Sequence, residues 1–412
     1  MEIAGKKNIK FIAANLTVLL LTAISGIRFS VAYYSYFLVI TGMFLLFDLE
    51  KSGKNYIYFW KRDRNIRIFV LGILLFYGSI VIASLLSKDL WSMTMGFSLG
   101  LFSVAFFAAY YVRGRYDTDV YFLLGIVLVI TANTIFSLFS IKIGMRNVFQ
   151  GFFLHRNSLG AVLSFILPFC IYCFLHYKKA WVRIFAASAF CVGGALLLLT
   201  QSRGAILGVT VGFVGTVIAV LFVYREKLTR KCILWGIAAL FLIGTCGGAM
   251  IYNISAFHRG TQAFGGERRI MIESSFRMWQ DHKLTGIGMR NWGDYYYSEK
   301  YHPLEGKEQG HSMPHNMPIY FLSTNGIIGG IGYSAFMLLL FSMVVNALKK
   351  DKSSIGAAML FAYLAFAAES MVDATISDKT IVIPFYFLMG YGFGIVYYNG
   401  QKSKKISEGE KL

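Results

Sequence analysis

The chain has 412 residues, of which 56% are hydrophobic and only 15% charged, with a mean hydropathy of +0.58. A soluble domain needs far more polar surface, so lipid is the solvent for most of this chain. The net charge of +19 does not argue for nucleic acid, because the basic residues follow the alternation of a membrane topology.

Apolar runs of about twenty residues cross a hydrocarbon core of about 30 Å as helices. The sequence predicts such spans near 9–28, 30–48, 67–86, 93–112, 119–141, 158–177, 181–200, 204–223, 232–253, 316–347, 355–372 and 380–398. The first carries no small-residue cleavage site and reads as a retained span. The tenth is too long for one straight crossing and is expected to break near Asn325-Gly326. The fold class is therefore all-α integral membrane, with about twelve transmembrane helices and one large periplasmic loop containing short helices. In chain order, residues 1–253 form spans one to nine and 254–314 form the loop. Residues 315–398 form spans ten to twelve, and 399–412 form a basic cytoplasmic tail that reads as disordered.

With the N-terminus inside, the inside segments hold 25 of the 40 basic residues. Eight more lie in the 254–314 loop, and the other outside connections share only Arg28, Lys88, Lys142, Arg146, Arg156, Arg203 and Lys379. Every inside connection is basic, which places both termini in the cytoplasm. The loop is too small for an independent catalytic domain. Its middle, from Glu267 to His282, reads as an amphipathic helix with Ile272, Phe276 and Trp279 on one face, lying on the membrane or capping a cavity.

The five cysteines, Cys170, Cys173, Cys191, Cys232 and Cys246, sit in or beside apolar runs and read as packing residues. Unusual polar residues collect at the outer rim. Gln201-Ser202-Arg203-Gly204 joins two spans. Arg203 is either a snorkelling arginine that fixes helix ends or an anion contact, since guanidinium forks match phosphate oxygens. Gly204, Gly208 and Gly212 recur every four residues, as a smooth packing face does. Arg268 and Arg269 open the loop helix, where N–H groups and the helix dipole favour an anion. A solvated basic turn explains them equally well.

His315-Asn316 follows Met313-Pro314 at the start of the tenth span. An imidazole at the aqueous end of a membrane helix can take a proton from a hydroxyl, although such a histidine also serves as a structural hydrogen-bonder. His311 lies four residues earlier, but Pro314 interrupts the alignment and no carboxylate follows at ligand spacing, so no metal is expected. His155-Arg156-Asn157 caps the sixth span, with Arg156 as a third candidate cation. Gly286-Ile287-Gly288 before Arg290 reads as a glycine turn. Glu369, Asp373 and Asp378 stand near the outer end of the eleventh span, free to pair with the rim arginines or bind a sugar.

Together these landmarks resemble the O-antigen ligase and polymerase family. Gln201-Ser202-Arg203-Gly204-Ala205 is similar to the family's Ser-Arg-Gly, and Arg268 through Gly286-Ile287-Gly288 to its arginine, loop helix and Gly-x-Gly. His315-Asn316, with Gly326 and Gly329 following, is similar to its His-Asn helix. The match is strong over about 155–345; the N-terminal third resembles the family only in hydropathy. Asn325 departs from the family's glutamate, and Arg268 and Arg269 compete for one position, with spacing favouring Arg268.

The resemblance implies glycan transfer from an undecaprenyl diphosphate-linked donor to a lipid A-core or other glycan acceptor. The site would face the periplasm from a bacterial inner membrane, among membrane lipids, with no cofactor. Arg203, Arg268, Arg269 and Arg156 would bind the diphosphate and His315 would act as base. Asn316, Arg290 and His311 are secondary candidates. A polymerase or protein O-oligosaccharyltransferase would share these motifs. A glycolipid flippase would instead line a path at mid-membrane with polar residues.

Overall fold

A computed structural model describes residues 2–27, 63–225, 267–301, 310–350 and 354–407. The expected spans 30–48 and 232–253 lie outside the described residues. So do 254–266 and 302–309 of the loop, Cys232, Cys246 and the end of the tail.

Among the described residues the fold is entirely helical, and it follows the apolar runs. The helices are α1 (Glu2–Gly26), α2 (Arg64–Leu86), α3 (Leu90–Leu101), α4 (Val104–Arg113), α5 (Asp119–Lys142), α6 (Arg156–His176), α7 (Ala180–Leu199), α8 (Arg203–Val223), α9 (Glu267–Asp281), α10 (Trp292–Tyr296), α11 (Met317–Lys350), α12 (Ile355–Ser370) and α13 (Lys379–Ser407). Counting α3 and α4 as one crossing, eight described helices are long and apolar enough to span a membrane, and α1 and α12 contribute shorter apolar stretches. The chain is a multi-pass membrane protein, all-helical among the described residues.

Two details differ from the sequence reading. The fourth span is two helices, because the chain turns at Phe102-Ser103, where Ser103 Oγ donates to the Gly100 carbonyl. Such local hydroxyl bonds compete with the helical ladder. The last helix also runs to Ser407, past residue 398, through lysines and a glutamine that are good helix formers.

The core is built from aromatic and small residues. Phe69 stacks on Phe106 at 3.6 Å and Phe366 on Phe385 at 3.8 Å between ring centroids. The glycine stripe of α8 lies on α12. A side chain at Gly208 would meet the Ala365 carbonyl at 3.0 Å, and one at Gly212 the Phe361 carbonyl at 2.8 Å. Without a hydrophobic drive between helices in lipid, such close backbone approach supplies the packing. Cys170 and Cys173 are buried free thiols in α6, and Cys191 is exposed on α7.

The break in α11 falls at Gly326, with φ 65° and ψ −162°. A helix interrupted inside an apolar layer must find new partners for its freed backbone groups. The loop after α9 supplies them. Ile287 N–H donates to Ser323 (3.0 Å), Gly288 N–H to Thr324 (2.8 Å), and Ile327 N–H to the Lys283 carbonyl (2.8 Å). A β-carbon at Gly286 would collide with the Thr324–Asn325 backbone, and one at Gly326 with the Leu284 carbonyl. The Gly-x-Gly turn is therefore a seat for the broken helix.

Candidate functional site

Several connections meet at one end of the bundle, called the rim here. The first turn of α3 meets the loop through Ser92 Oγ, which accepts from Met289 N–H at 2.6 Å. Gly160 of α6 packs on Ser202, and Gly204 of α8 on Val372 and Glu369. Among the described residues, the starts of α3, α6 and α8, the end of α12 and the loop after α9 thus lie together. All three non-glycine residues with positive φ among the described residues, Lys88, Gln201 and His315, belong to this rim. Residues held in this sparsely populated region cluster where function fixes geometry.

His315 Nδ1 lies 3.0 Å from Asp373 Oδ1, across 58 residues of sequence. Asp373 is 8% exposed. Its Oδ1 also accepts from the Ala374 N–H at 2.8 Å, and its Oδ2 from Asn157 Nδ2 at 2.8 Å. Burial pushes this carboxyl up, but the hydrogen bond and charge of His315 outweigh it, with help from the Ala374 N–H and the Arg268 charge. The result lies below the usual aspartate range. An ionised carboxylate only accepts, so Nδ1 of His315 is the donor in this contact and Nε2 is the ring nitrogen that Asp373 does not engage. Sequence reading left Asp373 open as an arginine partner or sugar ligand; in the structure its partner is the histidine. The only sequence signal was a carboxylate at the same rim.

The other candidates separate in the structure. Arg268 is half-buried and its charge reaches Asp373. Arg269 is exposed and pairs with Glu273 at 2.6 Å. The two therefore part by the 100° turn between neighbours on a helix. The loop helix buries Met271, Ser274, Ser275 and Met278 and leaves Ile272 and Phe276 exposed. Arg203 is half-buried at the first position of α8, whose N-cap Ser202 accepts from Ala205 N–H at 3.4 Å. Asn316 caps α11 by accepting from Ile319 N–H at 3.0 Å and donates to the Met371 carbonyl at 3.0 Å, so it ties the Asp373 loop down. Arg290 is exposed, with its guanidinium 4.6 Å from the centroid of the Trp91 ring.

A cavity of about 1030 Å³ opens beside His315. Its polar wall includes His155, Arg156, Asn157, His311, Asp373, Asp378 and Lys379, and its apolar wall Met95, Leu99, Phe102 and Ile381. His311 and His315 stand 5.9 Å apart between ring centroids, edge to face. Arg203 and Arg268 lie outside this lining, so the rim offers cations beyond the cavity wall as well as within it. Among the described residues no three His, Cys, Asp or Glu side chains gather as a metal-ligand set. Glu369, one turn before Asp373 and within its electrostatic reach, is 1% exposed, and its Oε2 has no hydrogen-bond partner among the described residues.

The architecture thus offers an oriented imidazole, nearby guanidinium groups and a large amphipathic cavity. A comparison with curated proteins finds no match. The family model described as O-antigen ligase matches residues 189–334, which include Arg203, Arg268 and His315. Over residues 189–334, about a third of its length, the chain is similar to the O-antigen ligase family.

Proposed function

We propose that this protein transfers a glycan from undecaprenyl diphosphate to an acceptor hydroxyl, at the periplasmic face of a bacterial inner membrane. The observation that carries the reading is the His315–Asp373 pair at the mouth of the cavity, with Arg268 in electrostatic reach. Arg203 and Arg268 hold the diphosphate and stabilise the charge that grows on it, and Arg156 adds a third cation from the cavity side. His315 Nε2 takes the proton of the acceptor hydroxyl as its oxygen attacks the anomeric carbon. The bond from that carbon to the phosphate oxygen breaks, and the diphosphate leaves with the electron pair. One such displacement inverts the anomeric centre. Diphosphate is already a good leaving group, so the step requires neither metal nor nucleotide. The apolar wall beneath the polar rim suits a ligand with a glycan head and a lipid tail.

Lipid A-core is the acceptor we favour; polymerisation onto another lipid-linked glycan, or transfer to a protein hydroxyl, would use the same chemistry. A transporter reading finds less support. The buried charge network around Arg113 and Asp119 lines no part of the cavity. Purified protein supplied with an undecaprenyl-diphosphate-linked glycan and candidate acceptors tests the proposal. Release of undecaprenyl diphosphate together with a glycosylated acceptor is expected, and donor movement across a vesicle without bond cleavage would replace the enzyme with a transporter.

A further inference from the structure

Asn157 was singled out in the sequence only as part of a helix cap. In the structure its amide reaches 216 residues along the chain, and Nδ2 donates to Asp373 Oδ2 at 2.8 Å. The neighbouring Ser158 Oγ donates to Asp378 Oδ2 at 3.2 Å. Two consecutive side chains in the first turn of α6 therefore grip both ends of the loop that carries Asp373. At the far end, Asp378 is itself fixed by accepting from Thr380 N–H (2.8 Å) and Thr380 Oγ1 (2.7 Å). The two oxygens of Asp373 are thereby committed to different partners, Oδ1 to His315 and Ala374, Oδ2 to Asn157. A carboxylate free to rotate would present either oxygen to the imidazole. One pinned on the far side presents a single oxygen in one plane.

We infer that Asn157 is a positioning residue of the transferase, which locks the Asp373 carboxylate so that His315 points its free nitrogen at the acceptor hydroxyl. This inference rests on the proposed glycan transfer. Other groups around Asp373 are the Arg268 charge and, one turn earlier on α12, the Glu369 carboxyl. Neither hydrogen-bonds Oδ2, so the amide of Asn157 is the contact that sets the rotation. The role is orientation and not charge, because the amide is neutral.

The test uses the full chain, purified and supplied with an undecaprenyl-diphosphate-linked disaccharide and an acceptor glycolipid. Asn157→Ala is expected to lower kcat roughly tenfold, the order of one hydrogen bond to a charged group, with donor KM unchanged. Because Asn157 acts through Asp373, the same change made on an Asp373→Asn background is expected to add little further loss. Asn157→Asp supplies a readout that a purely architectural role would not move. Two carboxylates within hydrogen-bond reach share one proton at low pH, which restores the bond. The activity of this variant relative to the unsubstituted protein should therefore rise as pH falls from about 9 to about 6. Unchanged kcat in Asn157→Ala, or losses that simply multiply on the Asp373→Asn background, overturns the inference while leaving the transferase reading intact. If the unsubstituted protein releases no undecaprenyl diphosphate, the transferase reading itself is lost.

Discussion

Charged groups gather at both ends of the helix bundle, and the two ends treat them differently. Away from the rim, where α4 passes to α5, Arg113 meets Asp119 through Nε at 2.5 Å and Nη2 at 3.2 Å. Tyr391 and Tyr172 donate to the same carboxylate at 2.9 and 3.1 Å, and Tyr110 donates to Asp63 nearby. Arg113 and Asp119 are 2% and 1% exposed. Every lone pair there is occupied, which is how a buried ion pair is tolerated. At the rim, Asp373 engages only Nδ1 of His315, Glu369 Oε2 has no hydrogen-bond partner among the described residues, and a cavity lies alongside. A closed network holds a fold together, and the proposed function gives the open one at the rim its ligand.

The sharpest way to break this contrast is to remove the base. His315→Ala is expected to lower glycan transfer by about 10²–10⁴-fold, with little change in the melting temperature of the detergent-purified protein. A substantial loss of stability would mean that His315 is architectural. Next, Arg113→Ala should destabilise by about 3–5 kcal/mol, because Asp119 is left buried and unpaired. Transfer per folded molecule should not change. Replacing both members together (Arg113→Met with Asp119→Leu) should restore most of that stability, as read in thermal unfolding.

At the rim again, Arg203→Ala and Arg268→Ala should each cost about 10²–10³ in kcat/KM. Arg269→Ala, which removes only an exposed pair with Glu273, should leave kcat/KM within about twofold. Equal losses from Arg268 and Arg269 would remove the distinction that the loop helix draws between them. The smallest effect concerns pH. The Asp373 carboxyl is held below its ordinary range, so its contribution to stability is present above the unfolded value of about 3.9. That contribution disappears only as pH falls through the lower folded value. The melting-temperature gap between the unsubstituted protein and Asp373→Asn should accordingly persist to about pH 4 and close below it.

Much of this was legible in the chain. Apolar length located the eight described helices long and apolar enough to cross and the two shorter apolar stretches of α1 and α12, and the interval of four between Gly204, Gly208 and Gly212 announced a close packing face. Gly326 marked its own helix break. The facing of the loop helix was not legible, because lipid rewards apolar side chains as protein interiors do. Ile272 and Phe276 are accordingly exposed while Met271 and Met278 are buried, and hydrophobicity alone cannot distinguish the two faces. Partnership across distant segments was hidden as well. His315, Asp373 and Asn157 come from three separate helix ends, and the packing of α12 against both α6 and α11 brings them within hydrogen-bonding reach. Asn325, where the family carries a glutamate, is 1% exposed and accepts from Thr324 Oγ1 at 2.9 Å. An amide at that position is accommodated without a counter-charge.

The riveting of the 283–288 segment to the Gly326 break also bears on how a substrate arrives. Prising that segment upward would sever three main-chain hydrogen bonds, each leaving donors and acceptors with no water at hand, at about 1–3 kcal/mol apiece. Arg268, one helix away from those rivets, is carried on a fixed bracket and not on a swinging arm. A molecule already dissolved in the bilayer needs no such opening. On the proposed function, the anionic head of a lipid-linked donor would meet a seat already held in place by these bonds.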